Sequence, residues 1–428
     1  MKLKTLTTAI ILATVPMTGA FAAALDRSGQ SIAAFLQPGN YFEAGISVLD
    51  PNVSGNVKSG WTPNPALPAA NIGLENTSVG EMAGDYYFPS AALKLQVTDN
   101  FSFGLIYDQP FGADAEYKTD TKTTSAALPP ALANQGAFHN GTEGTSVEVK
   151  TQSLSMIFGF QPTENWNIYA GPVYQTVKGD VQLRGVAYGG LAAFGDYNAN
   201  IDEDGAAGWL AGFAYQIPEI ALKTSVTYRS EIEHKIQVTE SLGASGLAAT
   251  INPALGYTPG QTEITTPQSV NLDFQTGVMA NTVAFANVRW VNWKDFAIRP
   301  NDFGHASKFI PGKAQGFDLV AYTDDQISAT VGVGRKLSEQ WAGNVSVGWD
   351  SGAGNPISTL GPTEGYWNVG LGAQFSPTPQ TFIAGGVKYF WLGDAKAQVA
   401  SDFGTASYVA NFEDNDALAY GLKIGYKF

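Results

Sequence analysis

The sequence predicts an all-β protein: a transmembrane antiparallel β-barrel of about 14 strands with a short N-terminal plug. Three observations predict this fold, namely the final strand, an N-terminal export signal and a regular succession of short and long connections. In the final strand, 418–428, large apolar residues alternate with alanine, glycine and lysine, so one face is apolar. Such a strand would aggregate as an exposed edge, whereas in an outer-membrane barrel it closes the sheet and faces lipid.

The first 24 residues read as a secretory signal peptide. Lys2 and Lys4 precede an apolar run over 6–15, and a small-residue tract follows at 20–24. The apolar run is too short to span a bilayer as a helix. The 428-residue sequence contains no cysteine, so the exported chain needs no disulfide bonds.

We interpret residues 25–40 as an N-terminal plug, or hatch, and residues 41–428 as the transmembrane barrel. The segment 25–40 mixes polar and apolar residues and precedes the first plausible strand at Tyr41. This mixed composition suits a segment that plugs the lumen. The alternative is that residues 25–40 form a flexible periplasmic tail.

Two kinds of connection alternate along the chain. Six are tight and carry Asn, Asp, Ser or Pro, the residues of turns: Thr98–Asn100, Pro162–Asn165, Ile217–Glu219, Ala280–Thr282, Leu337–Gln340 and Ser376–Pro379. Seven are long, where alternation lapses: 49–82, 118–145, 183–205, 240–263, 294–320, 352–362 and 394–416. Together they imply about fourteen strands, with both termini on the short-turn, periplasmic side. A soluble β-sandwich would also alternate, but would not need this combination of features.

Composition and histidine placement limit the classes of function that the protein can have. Charged residues make up only 14% and aromatics 12%, which suits alternating strands with aromatic girdles, and the net charge of −14 argues against nucleic acid. The three histidines, His139, His234 and His305, are scattered, and His234 is predicted on an outward strand face. Because no catalytic triad or metal-ligand spacing emerges, we expect no enzyme, no catalytic residue, no metal site and no cofactor.

Several segments, in order along 83–428, resemble the FadL/TodX-type outer-membrane transporters of long-chain fatty acids and hydrocarbons. These segments are Tyr86–Ala91, Asp99–Gly104, Gln109–Tyr117, Thr227–Ile232, Thr265–Val270, Trp290–Phe296, Tyr322–Ile327, Gly348–Asp350 and Tyr366–Gly370. The resemblance implies a fourteen-stranded barrel with an N-terminal hatch, which is shorter here than is usual in the family. It also implies that hydrophobic substrates enter from outside and leave sideways through a gap in the wall.

The gap implied by the resemblance comes from a kink in the third strand, which matches Pro110, Phe111 and Gly112 here. Local chemistry supports a lateral gate at these residues. Pro110 has no amide hydrogen and Gly112 has no Cβ, so the hydrogen-bonded ladder is weak at this point. A simple bulge or strand end is the alternative.

Strand parity predicts two ligand-binding arginines in the lumen, Arg229 and Arg289. In the seventh strand, Arg229 shares a lumenal face with Lys223, Glu231 and Lys235. A buried carboxylate ligand needs a cationic partner for its head and apolar walls for its tail. The alternative is that each arginine forms a structural ion pair with a lumenal carboxylate such as Glu231 or Asp108.

We therefore expect an outer-membrane transport channel for uptake of long-chain fatty acids or similar hydrophobic molecules, with lateral exit through the kinked third strand. A general solute porin is the nearest alternative, and a barrel-embedded lipase is a more distant one. The expected partners are the outer-membrane bilayer of a Gram-negative bacterium and a hydrophobic ligand such as a long-chain fatty acid. No nucleic acid is expected as a partner, and we expect a monomer.

Overall fold

The computed structural model describes residues 24–63, 73–119, 135–190, 193–242 and 261–428. The described chain forms a closed barrel of fourteen antiparallel strands, which confirms the predicted fold class. The predicted signal peptide lies outside the described residues, except for its last residue, Ala24.

The barrel strands are β1 Tyr41–Asn52, β2 Tyr86–Gln96, β3 Phe101–Asp108 with Gly112–Glu116, β4 Ser146–Thr163, β5 Trp166–Arg184, β6 Asp196–Ile217, β7 Leu222–Arg229 with Ile232–Ser241, β8 Gln261–Thr266 with Ser269–Met279, β9 Thr282–Val291, β10 Gln326–Lys336, β11 Trp341–Asp350, β12 Tyr366–Phe375, β13 Thr381–Leu392 and β14 Asp416–Lys427.

The first and last strands close the barrel. β1 pairs with β14 from Tyr41–Lys427 to Asn52–Asp416, so neither strand is left as an open edge. On β14 the large apolar side chains from Leu418 to Phe428 are 40–54% exposed, while Ala417 and Ala419 are buried. The face predicted to meet lipid therefore lies outside the barrel.

The six tight turns and seven long connections fall between the strands as predicted. The predicted loops 49–82 and 240–263 overlap the strand ends by two to four residues. The largest error concerns residues 196–205, which were predicted as part of a loop and form the first half of β6. Here the strand stands beyond the apolar band, with exposed acidic residues such as Asp202 and Glu203, so no lipid-facing apolar side chains mark it.

The long connections cover one end of the barrel with small secondary structure elements. These are a five-stranded sheet, a two-stranded pairing and a seven-residue helix, Asn301–Ser307. The five-stranded sheet consists of Ile357–Ser358, Ala395–Gln398, Ala410–Phe412, Ser54–Val57 and Ser78–Glu81. Among the residues described, no helix has the length and apolar character of a membrane span.

Three strands are interrupted: β3 at residues 109–111, β7 at 230–231 and β8 at 267–268. Beyond the break in β7, His234 is fully buried, while Glu231 and Lys235 are exposed. The prediction that Glu231 and Lys235 face the lumen and that His234 faces outward was therefore wrong. Residues that leave the ladder reset the inside–outside alternation, so parity holds only within one continuous segment.

The N-terminal segment, residues 25–40, lies inside the barrel. Its Ile32, Phe35 and Leu36 are buried in one apolar cluster with wall residues, and Phe35 packs edge-on against Tyr169 at 5.7 Å between ring centroids. The Phe35 ring occupies the space that a Cβ at Gly104 would need. A side chain at this position on β3 would displace the segment.

Candidate functional site

The hydrogen-bonded ladder of the barrel wall is interrupted between β2 and β3, and we call this interruption the gap. The ladder between these strands runs from Gln96–Ser102 to Ala91–Tyr107, and the next bridge joins Ala83 to Ala115. Residues 84–90 and 108–114 lie between these two pairings. On its other side β2 remains paired with β1 as far as Tyr86, so the separation is confined to the β3 edge.

Tyr86 marks the upper limit of the gap. Its hydroxyl donates to the Asp114 carbonyl oxygen at 2.9 Å and accepts from the Asp114 amide at 2.6 Å. The Gly84 amide donates to the same carbonyl oxygen at 3.1 Å. A side chain thus replaces the backbone ladder where the two strands approach each other again.

The break in β3 lies at the predicted gate residues. The Pro110 carbonyl accepts from the Arg27 amide at 2.7 Å, and the Gly112 amide donates to the Leu25 carbonyl at 2.8 Å. The N-terminal segment therefore takes hydrogen bonds that β2 would otherwise take. A Cβ at Gly112 would lie 2.9 Å from the Val149 carbonyl oxygen, which explains why glycine suits this position.

Phe111 remains attached to β4 through Thr151, whose backbone amide donates to the Phe111 carbonyl at 3.3 Å. The Phe111 amide donates to the Thr151 hydroxyl at 2.8 Å, and that hydroxyl donates to the Phe111 carbonyl at 2.7 Å. The Phe111 ring itself points inward, where it is buried and packs edge-on against Trp293 at 5.4 Å. At this break β3 therefore contacts the N-terminal segment while it keeps its contact with β4.

The gap lies at the level of the apolar outer surface. Pro89 on its β2 edge is in register with Ile46 of β1, and Ile46 is in register with Leu422 of β14. Ile46 and Leu422 are large apolar side chains with about half of their surface exposed, and Tyr87 beside the gap is 60% exposed. Lipid is the medium that such a surface requires.

A cavity of about 560 Å³ inside the barrel reaches both edges of the gap. Its walls include Phe88–Ala92 of β2, Ile106–Gln109 at the end of β3, and Ile32 and Leu36 of the N-terminal segment. This volume lies in the range of ligand sites, and several of the lining side chains are apolar.

A second, smaller cavity of about 50 Å³ lies on the other side of the first residues of the N-terminal segment. We call it the outer pocket. Most of its lining is apolar: Leu25, Val53, Met82, Ala113, Ala115, Val147, Val149, Val181, Ile201, Ile298, Leu319, Val320 and Leu360. Arg27 lines both this pocket and the larger cavity.

The two predicted arginines point into the lumen, where both bind the N-terminal segment. Arg289 forms an ion pair with Asp26, with Nε 2.7 Å from Oδ2. Arg229 donates to the Gln30 carbonyl at 3.3 Å and to the Ser155 hydroxyl at 3.1 Å. The carboxylate that pairs with Arg289 is thus neither Glu231 nor Asp108. A role for either arginine in ligand binding stays a prediction.

Sequence reasoning missed Arg27, Tyr86 and Asp114. All three face the boundary between the outer pocket and the gap, but none belongs to a catalytic or metal-binding pattern. One signal was available: Asp26-Arg27 is a charged pair inside a segment expected to lie in a lumen, where unpaired charge is costly.

Comparison with solved structures finds the same fold at low sequence identity. A FadL homologue of Pseudomonas aeruginosa superposes with a TM-score of 0.65, at 15% identity, over 92% of each chain. The toluene transporter TodX of P. putida gives 0.58 at 14% identity, over 92% of this chain and 91% of that one. The toluene transporter TbuX of Ralstonia pickettii gives 0.53 at 11% identity, over 96% and 98%.

Sequence comparison identifies the family. A search among curated proteins finds no match to this chain. The sequence profile of the family described as "Outer membrane protein transport protein (OMPP1/FadL/TodX)" matches residues 30–428, which include the whole barrel and most of the N-terminal segment. The fold and this match place the protein in the outer membrane of a Gram-negative bacterium. The chain belongs to the OMPP1/FadL/TodX family of outer-membrane transport proteins.

Proposed function

We propose that this protein takes up hydrophobic molecules, long-chain fatty acids in particular, and releases them sideways into the bilayer between β2 and β3. The observation that carries the proposal is the cavity of about 560 Å³, which reaches both edges of the gap at the level of the apolar outer surface. A lateral exit needs an interruption in the backbone ladder, and the break in β3 supplies one.

The N-terminal segment acts as the plug in this proposal. Its buried apolar residues and its hydrogen bonds to Pro110 and Gly112 support a closed lumen, which favours a selective channel over a general solute porin. For Arg229 or Arg289 to bind a ligand, the segment would first have to move, because Gln30 and Asp26 occupy their donors.

An apolar tail would supply most of the affinity. Burial of each methylene group is worth about 0.8 kcal/mol, so a long acyl chain binds more strongly than a small hydrocarbon in a cavity that can hold it. The structurally similar TodX and TbuX are described as toluene transporters, so monoaromatic hydrocarbons form the second substrate class to test. No catalytic step is part of the proposal, and the chain closes its own barrel, which supports a monomer.

The chain has no cysteine, so a single introduced thiol can be used to block the gap. Ser90→Cys places a thiol on the β2 edge, and Ser338→Cys places one on a tight turn far from the cavity. We expect a bulky methanethiosulfonate reagent, which forms a mixed disulfide with the thiol, to abolish uptake of labelled oleate and labelled toluene through Ser90→Cys. A reducing agent should cleave this disulfide and restore uptake.

The same reagent should leave uptake through Ser338→Cys unchanged. Full uptake through completely modified Ser90→Cys would rule out the lateral route. Uptake of neither compound above that of cells lacking the protein would rule out the proposed substrate classes.

A further inference from the structure

In the part of the chain that the structure describes, Arg27 is a buried cation without an ion pair. Its side chain is 6% exposed, and its Nε is buried with no hydrogen-bond partner. Nη1 donates to the Asp26 backbone carbonyl at 3.0 Å. This hydrogen bond gives one N–H group an acceptor but does not neutralise the positive charge of the guanidinium. Within the described residues the buried Arg184 and Arg289 each pair with a carboxylate, whereas the buried Arg27 and Arg229 do not. A buried charge without a counter-charge is costly, so an anion bound here would be stabilised.

The position of Arg27 relates it to the transport route. It lines both the outer pocket and the larger cavity, so it stands between them. Its guanidinium carbon lies 4.8 Å from the centre of the Tyr86 ring, the residue that limits the gap. An anionic group at Arg27 would therefore lie at the boundary of the two cavities and close to the gap.

The surroundings of Arg27 are suited to an amphiphile. Among the residues that line the outer pocket, Arg27 is the single cation and Asp114 the single carboxylate. Asp114 does not come within ion-pair distance of Arg27 in the described structure. On the other side of Arg27, the cavity of about 560 Å³ is lined in part by apolar residues such as Ile32, Leu36 and Phe88. This cavity can therefore hold an apolar tail whose carboxylate head lies at Arg27.

Other cations in the lumen are engaged or lie elsewhere. Lys423 pairs with Glu43 at 3.1 Å, and Lys223 donates to the Leu36 carbonyl at 2.8 Å. The Nε of Arg229 also lacks a partner, but Arg229 lines neither cavity. Burial, a missing counter-charge and access to both cavities coincide at Arg27.

We propose that Arg27 binds the carboxylate head of an amphiphilic acid at the boundary between the outer pocket and the cavity of about 560 Å³, with the tail in that cavity. This inference rests on the proposed function and assigns its head-group site to a residue of the N-terminal segment. It explains why a short segment that has to fit inside a barrel carries an arginine beside its anchoring aspartate.

The test compares an acid with an alcohol of the same length. Dodecanoate and dodecanol are titrated against the purified full chain in an uncharged detergent at pH 8, with correction for partition into micelles. We expect Arg27→Gln to weaken dodecanoate binding at least tenfold and dodecanol binding less than twofold. Arg27→Lys should retain much of the preference for the acid, because the positive charge remains.

Asp114→Asn tests the site with Arg27 intact and does not depend on whether Arg27→Gln folds. Removing the neighbouring negative charge should tighten dodecanoate binding and leave dodecanol binding unchanged. Lys223→Gln is the matched control, because Lys223 is a cation that lines the same cavity. The Lys223→Gln variant should either weaken the binding of both ligands equally or leave the binding of both unchanged.

Each outcome decides between the hypotheses. Equal losses for acid and alcohol in Arg27→Gln, or an acid-specific loss in Lys223→Gln instead, would overturn the assignment of Arg27 and leave the channel intact. An unchanged dodecanoate affinity in Asp114→Asn would also count against it. If the unmodified protein binds neither ligand, the proposed function itself fails.

Discussion

The ion pair between Arg289 and Asp26 joins the barrel wall to the N-terminal segment. Arg289 Nε and Nη2 donate to the two carboxylate oxygens of Asp26 at 2.7 and 3.1 Å, and both side chains are at most 2% exposed. Arg289 also donates to Gln30 at 3.0 Å and to Asn271 at 2.8 Å. A two-pronged arginine–carboxylate contact in a buried site holds its partner in one orientation.

Removing one member of this pair should release the segment. We expect Arg289→Gln to destabilise the seated segment by about 3–5 kcal/mol, because the Asp26 carboxylate would be buried without a counter-charge. The expected result is a higher single-channel conductance in planar bilayers. Deletion of 25–37 sets the value for a fully open lumen.

Arg299→Gln is the control for Arg289→Gln, because Arg299 forms an exposed ion pair with Asp318 on a loop. It should leave the conductance unchanged. Unchanged conductance in both Arg289→Gln and the deletion would show that the segment does not block the lumen. If Arg289→Gln instead weakens dodecanoate but not dodecanol binding, the original prediction of a ligand-binding Arg289 gains support.

Single residues show how far strand parity could predict the site. Parity placed Arg229 and Arg289 in the lumen, and the structure buries both there. Parity could not predict their partners, because Asp26 and Gln30 lie about 200 or more positions away in a segment without regular secondary structure. Such contacts depend on how the segment folds inside the closed barrel.

At the scale of elements, one carboxylate holds an outer loop on the barrel rim. Glu240 of β7 accepts from the backbone amides of Asp302 and Phe303 at 2.7 and 2.8 Å, at the start of the helix Asn301–Ser307. It also accepts from the Tyr197 hydroxyl of β6 at 2.7 Å. A negative group at a helix start is favourable, so this contact fixes the helix on the rim.

The neighbouring Asp302 makes this contact sensitive to pH. Burial, followed by the negative charge of Glu240, raises the pKa of Asp302 to about 6, although His305 opposes the shift. Because the folded pKa is raised, the stabilisation from protonated Asp302 is fully present below pH 4 and is lost as pH rises through 6. We expect the amides of 301–307 to exchange hydrogen more slowly at pH 5 than at pH 8, after correction for intrinsic rates.

Asp302→Asn removes the charge that repels Glu240. Protection of this helix should then be the same at both pH values, and higher at pH 8 than in the unmodified protein. Asp318→Asn, in the same loop, is the control and should keep the pH dependence. An equal pH dependence in Asp302→Asn and the unmodified chain would assign the effect to another group.

Element by element, continuous strands were predictable from the sequence, and two of the three strand breaks were not. Regular alternation located β10, β11 and β14, because each crosses the bilayer with one face in lipid. The breaks in β7 and β8 leave no comparable pattern in the sequence. The break in β3 was found because Pro110 and Gly112 are chemically unsuited to a ladder and the segment resembles a known family.

For the whole molecule, the alternation of tight and long connections predicts that both termini face the periplasm. We expect Ala406→Cys, in the last long connection, to react with a membrane-impermeant maleimide in intact cells. Glu339→Cys, in a tight turn, should react only after the outer membrane is permeabilised. Both parent side chains are exposed, so accessibility within the fold is matched.

The reverse labelling pattern would show that the barrel has the opposite orientation in the membrane, with the outer pocket on the periplasmic side. Labelling of both positions in intact cells would indicate leakage, and a periplasmic marker enzyme should be assayed alongside. The number of strands and their order could be predicted because the bilayer fixes strand length and polarity. The cavities could not be predicted, because they depend on where the N-terminal segment packs.

The unequal height of the wall has a consequence for where molecules are collected. A tilted strand needs about 9–11 residues to cross the hydrocarbon layer, whereas β4, β5 and β6 have 18, 19 and 22 residues. At about 3.4 Å per residue, β6 is roughly 70 Å long, so about half of it stands beyond the lipid. The barrel wall is therefore highest at β4–β6, whereas β14, β1 and β2 have only 12, 12 and 11 residues. In the proposed uptake route, a wall of this height would let a hydrophobic molecule enter the barrel above the polar surface of the membrane. The molecule would then pass that surface inside the protein, without dissolving in the hydrated layer that ordinarily excludes it.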